Sequence, residues 1–492
     1  MADTTSNNTI GGFGQQHDDQ IYSRFDWFRP KKIQNLLKGR RRIRINPTSK
    51  QSPYEFVIPP NPRMWTDLQT LILHGRYRVW NRTLKAEPAA GENWSVINNI
   101  NHSIWAQVGI KVNGYEFEDA TTTTYPFKAY CNTLLNFNDV YKSTVLESTN
   151  GWAYDNAYPN GTSLTENVAT QETESKEIEL RLDDDPNAPQ PPTFKKYTMK
   201  RKKYTKNPDY NSGYAKRRKG IATGSWNEFH VILQHDLLTT EEIFEPNTRF
   251  EITLTKSSDD FCIMQPASNT NKYEIQLDNI HFTVEQIDAT KTTNDYHQRK
   301  KASGKVPTAE IRRNIIKYYP VTENKMDLGH SQMFFTSPLP EQVYVFFVDQ
   351  RAFHGTTDTN PFNFQFMNLT EASLVVNGVN EPSGCYSTTR VGSLLDLYHS
   401  FLYSTGSAHN DPNCVPITYP MFKTNYFILA WDRTPNRDNG FYNNPPDTGN
   451  IDLHLTLRDN LTGGNKMVVV YASYKQDIKM DGDQLTTERV GI

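Results

Sequence analysis

No run of apolar residues in this chain of 492 approaches the roughly 20 needed to cross a bilayer as a helix. The opening Met1-Ala2-Asp3-Thr4-Thr5 lacks the apolar core of a secretory signal. Both absences lead us to expect a soluble protein made in the cytoplasm, with no membrane span. Triplets such as Asn81-Arg82-Thr83 and Asn368-Leu369-Thr370 then have no route to glycosylation. Cysteine is scarce: Cys131, Cys262, Cys385 and Cys414 lie far apart and form no CxxC or Cys/His cluster, so they read as reduced structural thiols. The motifs of catalysis are missing too. There is no GxxxxGK[ST] phosphate loop, no GxGxxG after a strand, no HExxH and no GxSxG elbow. His230 and His235 lie five apart around an expected strand and would face opposite ways. Asp183-Asp184-Asp185 lacks the spaced oxygens and the glycine of a calcium loop. We therefore expect no catalytic residue, no metal site and no cofactor.

What is present points to β structure. Aromatic residues, Thr and Asn are plentiful, whereas Ala-Glu-Leu blocks typical of helices are rare. A net charge of -2 conceals segregation: residues 31–44 and 195–219 are basic and residues 172–185 acidic. Any contact with nucleic acid would be local, since a protein that coats a polyanion over its whole surface is basic overall.

Residues 1–20 are too polar to offset the entropy of ordering them, and read as a disordered arm. The segment that follows adds Phe25, Trp27 and Phe28, then seven basic residues between 31 and 44 without an acid. Lys38, Arg40, Arg41, Arg42 and Arg44 are candidate arm contacts to a neighbour or an anionic surface; an extended strand with a solvated charged edge is the equal alternative. The most specific local signal is a pair of clusters, Lys200-Arg201-Lys202-Lys203 and Lys216-Arg217-Arg218-Lys219, separated by twelve residues. Their spacing has the form of a bipartite nuclear-import signal, read by an importin, or of a polyanion contact. The interleaved Tyr197, Tyr204, Tyr210 and Tyr214 would also suit stacking on bases, and a solvated surface loop is the plain alternative.

Two stretches echo each other. Gln107-Val108-Gly109-Ile110-Lys111-Val112-Asn113-Gly114 and Glu371-Ala372-Ser373-Leu374-Val375-Val376-Asn377-Gly378 alternate in the same phase and end in the Asn-Gly of a tight hairpin. A short helix is expected after each, with one apolar face made of Phe127, Tyr130, Cys131 and Leu134, then of Leu394, Leu397, Tyr398 and Phe401. Pro126 suits the first turn of one and Ser393 the N-cap of the other. Strands in matching order flank both. The expected fold is all-β: two tandem eight-stranded jelly rolls, each with a short helix, and a long loop insertion in the first. The boundaries expected are an arm over 1–50, a first roll over 51–290 with the insertion at about 150–222, a linker over 291–312, a second roll over 313–482 and a tail over 483–492.

These residues also carry a resemblance. Leu339-Pro340-Glu341-Gln342-Val343, Asn360-Pro361-Phe362-Asn363-Phe364, Val376-Asn377-Gly378, the Tyr398 helix and Val470-Tyr471-Ala472-Ser473-Tyr474 resemble the major capsid proteins of Maverick/Polinton elements and adinto-like viruses. So do Trp65-Thr66-Asp67-Leu68, His102-Ser103-Ile104, Thr124-Tyr125-Pro126-Phe127-Lys128-Ala129-Tyr130, Lys216-Arg217-Arg218, Gly224-Ser225 and Leu233-Gln234-His235-Asp236-Leu237. The resemblance implies a double jelly-roll virion protein that is not an enzyme. Such a protein forms a homotrimer and then the lattice of an icosahedral shell around double-stranded DNA. Penton and other minor capsid proteins would be its partners, and genomic DNA or an importin would meet the basic segments. It would be found in the virion and in the host nucleus during assembly. Residues 155–210 depart from the family pattern, being longer and more charged, and Lys216-Arg217-Arg218 resembles a basic turn of the family, which makes a structural role for it the competing reading. The rivals are a penton protein with one roll and, from another class, a carbohydrate-binding β-sandwich using Trp94, Trp105, Trp152 or Trp226.

Overall fold

Period-two alternation builds the strands. In Met64–Asn81, Leu71, Leu73, Tyr77 and Val79 point inward and are at most 6% exposed, while His74, Arg76 and Arg78 occupy the opposite face. The computed structural model describes residues 36–89, 91–117, 124–156, 158–181, 194–221, 225–336, 338–388, 394–409, 415–435, 447–481 and 484–489.

In the first half, one antiparallel sheet has the order Leu37–Ile45, Tyr273–Ala289, Met64–Asn81, Asn227–Val231. The other has the order Tyr54–Ile58, Phe250–Lys256, Trp105–Val112, Tyr115–Glu116. The Phe56 and Phe282 rings meet edge to face at 4.7 Å between them, so the two sheets close one sandwich core. The second half repeats the arrangement strand for strand: Thr308–Val321, Lys466–Asp481, Gln342–Asp349, Leu429–Asp432 opposite His330–Thr336, Asn450–Leu457, Leu369–Val376, Val379–Ser387. This is a double jelly roll.

The two Asn-Gly turns mark the register of the duplication. Asn113 and Gly114 have φ of 50° and 86°, and Asn377 and Gly378 have 50° and 83°. Both turns therefore need two successive left-handed residues, the requirement that favours Asn-Gly. Each asparagine also clasps the neighbouring strand from its end. The Asn113 side-chain carbonyl accepts the Arg249 N–H (2.8 Å) while Asn113 N donates to Arg249 O (2.9 Å). Asn377 does the same with Asn450, at 3.0 and 3.1 Å. Asn113→Ala and Asn377→Ala should each cost about 1–2 kcal/mol, from left-handed strain plus a lost acceptor, and a urea midpoint measures it.

A helix follows each turn: Tyr125–Asn136, with Pro126 in its first turn, and Leu395–Ser404. Leu394 occupies the N-cap position of the second without a side-chain hydrogen bond, and Ser393, the expected cap, lies outside the described residues.

Several segments differ from the sequence expectation. Residues 37–45, inside the boundary drawn for the arm, form a sheet-edge strand whose main chain pairs with residues 282–289, the extended strand with a charged edge that is one of the two equal readings of this segment. Ile43 and Ile45 turn inward, whereas Arg40, Arg42 and Arg44 face out, and charge on an exposed edge discourages pairing with another chain. Residues 1–35, which contain the expected disordered arm, lie outside the described residues. The expected linker contains the helix Lys291–Ala302, with Arg299, Lys300 and Lys301 near its carbonyl end and Gly304 at φ 80° beyond it. None of its residues is buried, so no apolar stripe advertised it. Within 150–222, expected as a loop, the chain forms the antiparallel ribbon Asn167–Arg181 with Phe194–Lys206, then the helix Ser212–Gly220. The tail contains the strand Gln484–Arg489, paired with residues 476–481.

Candidate functional site at the seam between the rolls

Several of the motifs that carry the resemblance, around Phe127, Arg217, Asp236 and Phe362, meet where the two rolls join. The helix Tyr125–Asn136 presents Phe127 and Tyr130 to the second roll. Tyr130 stacks on Phe362 with centroids 4.0 Å apart and planes at 2°, and Phe364 meets its edge at 5.7 Å. Phe127 stacks on Phe353 at 4.9 Å and meets Phe362 edge-on at 5.7 Å. All five rings are buried. A contact of this area and geometry holds the rolls in one orientation.

Two buried carboxylates flank the aromatic cluster. Asp155 Oδ1 lies 2.9 Å from Arg217 Nη2, both side chains being 2% exposed. Arg217 also donates to the carbonyls of Val96 (2.9 Å) and Ala153 (3.1 Å), which fixes the guanidinium within the first roll. The second roll completes the site: Asn360 Nδ2 donates to Asp155 Oδ2 at 2.9 Å, and Tyr426 Oη lies 3.2 Å from Asp155 N. The other carboxylate, Asp236, pairs with Lys128 at 3.0 Å and accepts the N–H of Asn314, from the second roll, at 2.9 Å. In both cases the first roll supplies the ion pair and the second roll supplies further donors, so the charge is satisfied only when the rolls are together.

Two neutral histidines sit nearby. His235 Nδ1 accepts the Leu237 N–H at 3.2 Å, a role a protonated nitrogen cannot fill. Burial pushes it down to about 3, and Lys128 adds to the effect. His102 Nδ1 lies 2.9 Å from Tyr125 Oη, which itself accepts the Gln234 N–H at 3.1 Å. Burial pushes the His102 ring also to about 3.

The basic segments have specific places. Arg217 is the buried ion-pair partner of Asp155. The Arg218 guanidinium lies 4.3 Å from the Trp94 ring centroid and is itself buried. Lys216 pairs with Glu147 at 2.6 Å, and Lys219 is exposed. As folded, this cluster does not offer four cations to a partner; two of the four point inward. Lys200, Arg201, Lys202 and Lys203 lie on the second ribbon strand, where Arg201 is in register with Glu174 and Lys196 with Glu179. The acidic and basic tracts of the sequence are thus the two strands of one ribbon. Arg40 and Arg42 share Glu285, at 3.3 and 3.0 Å, Arg41 reaches Gln286 and Arg44 reaches Asn279. Lys38 is exposed.

Trp94, Trp105 and Trp152 are at most 2% exposed, which removes them as a sugar platform, and Trp226 is covered by Arg76 and Arg78 at 5.0 and 4.8 Å. Among the described residues no group of three or more His, Cys, Asp or Glu is arranged to hold a metal ion, and no helix is long and apolar enough to cross a membrane. Cys131 and Cys262 are buried free thiols, with burial raising both, and Cys414 lies outside the described residues.

The sequence did not single out Asp155, Asn314 or Tyr426. The available signal for Asp155 was its setting, Trp152-Ala153-Tyr154-Asp155, an acid behind two large aromatics in a stretch otherwise read as loop.

No family model matches the sequence. The uncharacterized protein F54H12.2 of Caenorhabditis elegans is 19% identical over 440 residues, covering 88% of this chain and 92% of that protein. Among solved structures, a chain of the PBCV-1 virus capsid aligns with a TM-score of 0.50 and 9% identity, over 94% of this chain and 100% of the other. The mavirus major capsid protein aligns over 96% of both chains, with 12% identity and a TM-score of 0.44. The PBCV-1 match extends over both rolls and shows the same fold.

Proposed function

We propose that this chain is a structural virion protein, the major capsid protein of a virus or element of the Maverick/Polinton and adinto-like kind. In this reading three copies form a pseudo-hexagonal capsomer, and capsomers tile an icosahedral shell around double-stranded DNA. The observation that carries it is the duplication locked at the seam: two eight-stranded rolls with identical strand order, held by buried rings and by carboxylates that need both halves. A shell subunit needs a wall that keeps its shape under load, and two sandwiches fused through a packed aromatic seam supply one. A catalytic role finds no support in the arrangement, since the buried charges are consumed in holding the rolls together.

The mass of the purified chain in solution tests the proposal. A trimer is expected. A pentamer would favour a vertex protein, and a monomer that binds glycans would favour a carbohydrate-binding sandwich. Penton and minor capsid proteins are the further partners in this reading, with assembly in the host nucleus.

An importin or DNA contact is best tested at Lys200-Arg201-Lys202-Lys203, because changing Arg217 or Arg218 disturbs the core. If changing those four to Ala leaves a fluorescent fusion of the full chain as nuclear as before, they do not drive import.

A further inference from the structure

A cleft of about 370 Å³ lies between the rolls at the end where the described chain enters the fold. Trp65 and Phe244 of the first roll and Ile478 and Met480 of the second give it an apolar wall. Tyr296 and Val306 stand at its mouth, 56% and 41% exposed. Lys300 and Lys305 are on its rim and both are exposed, whereas Lys301 and His297 pair with Glu245.

The chain arrives beside this cleft. Leu36 O accepts the Thr290 N–H at 3.0 Å and the Thr293 hydroxyl at 3.1 Å, at the start of the helix whose later residues line the cleft. Leu37 is in register with Ala289 on one side of the strand Tyr273–Ala289, and Trp65 with Ile287 on the other. Two strand spacings of about 4.8 Å and two steps of about 3.3 Å put the entry point roughly 12 Å from Trp65. Eight to eleven residues before Leu36 stands Phe25-Asp26-Trp27-Phe28. Its tether reaches roughly 26–36 Å when extended, ample to fold back.

We propose that Phe25-Asp26-Trp27-Phe28 docks in this cleft of its own chain, its rings on the apolar wall and the Asp26 carboxylate at the Lys300 and Lys305 rim. Aromatic side chains match the wall; Asp26 is the group of the segment that can meet the two exposed lysines, and the flanking Arg24 and Arg29 can meet the exposed Glu242 of the same lining. The segment would pin the residues before it to the boundary between the rolls. The inference is independent of the capsid reading, because it needs only the two rolls and the entry point.

Chymotrypsin cleavage of the full-length chain tests it. Cleavage after Trp27 and Phe28 should be slow, and Val306→Asp should speed it at least ten-fold with no change in thermal midpoint, since Val306 is exposed. The Lys300→Glu, Lys305→Glu double variant should speed it about three-fold. In the F25A/W27A/F28A chain, hydrogen exchange over residues 303–309 should rise. Cleavage unaffected by Val306→Asp overturns the proposal, as does protection that grows with protein concentration, which would place a second copy's segment in the cleft.

Discussion

Arg217→Met should lower the unfolding free energy by about 3–5 kcal/mol, the usual cost of leaving one member of a buried ion pair without its partner. Asp155 is 2% exposed, and Asn360 provides its carboxylate a dipole but no charge to replace the guanidinium. Asp155→Leu should cost a similar amount by stranding Arg217, which would keep only two carbonyl acceptors. The double variant should be less destabilised than the sum of the two, because no lone charge remains, and the Asn360 amide keeps the Pro159 carbonyl as its acceptor. Urea midpoints of the four proteins measure the cycle. Additive losses would show that Arg217 and Asp155 act separately, against the geometry.

Acid should unfold the protein through His102 and His235. Both rings are held at about 3 in the folded chain against 6.5 when exposed. Between these values the unfolded chain binds protons that the folded chain refuses, so the stability tied to the neutral rings is complete above pH 6.5 and is lost as pH falls towards 3. Each histidine contributes a slope that approaches about 1.4 kcal/mol per pH unit below 6.5, so the pair removes roughly 3 kcal/mol between pH 6.5 and 5. Lys142, pushed by burial to about 7 from 10.5, carries the same sign into the alkaline range. There the folded chain again holds fewer protons, so its contribution rises with pH. His102→Gln should reduce the acid slope by up to about 1.4 kcal/mol per pH unit even if it lowers the stability at neutral pH. An unchanged slope in that variant would assign acid sensitivity to other groups.

Both effects act at the seam or beside it, so they bear on the proposed wall. Weakening Asp155 or Asp236 loosens the hold of one roll on the other, because each carboxylate draws donors from both.

The sequence by itself determined the period, order and duplication of the strands. Alternation in stretches such as Ile451-Asp452-Leu453-His454-Leu455 is a local property, since side chains on a strand must choose one face. The Asn-Gly turns were legible for the same reason: their positive φ values are set within two residues. Segments without an apolar stripe were not legible. The helix Lys291–Ala302 buries nothing and leaves no core-facing pattern, and the edge strand Leu37–Ile45 turns only Ile43 and Ile45 inward beside its outward charges, too little to separate a strand from an arm.

Only the tertiary structure decided what the charges do. Arg217 and Lys216 are neighbours in one basic cluster, yet one is buried against Asp155 and the other sits at the surface with Glu147. Composition cannot separate them, because burial depends on elements far apart in the chain: Asp155, Asn360 and Tyr426 come from three segments. The acidic and basic tracts likewise became one ribbon only through the pairing of their strands. Strand patterns are written residue by residue; the partner of a charge is chosen by the fold that brings distant residues together and withdraws the water between them.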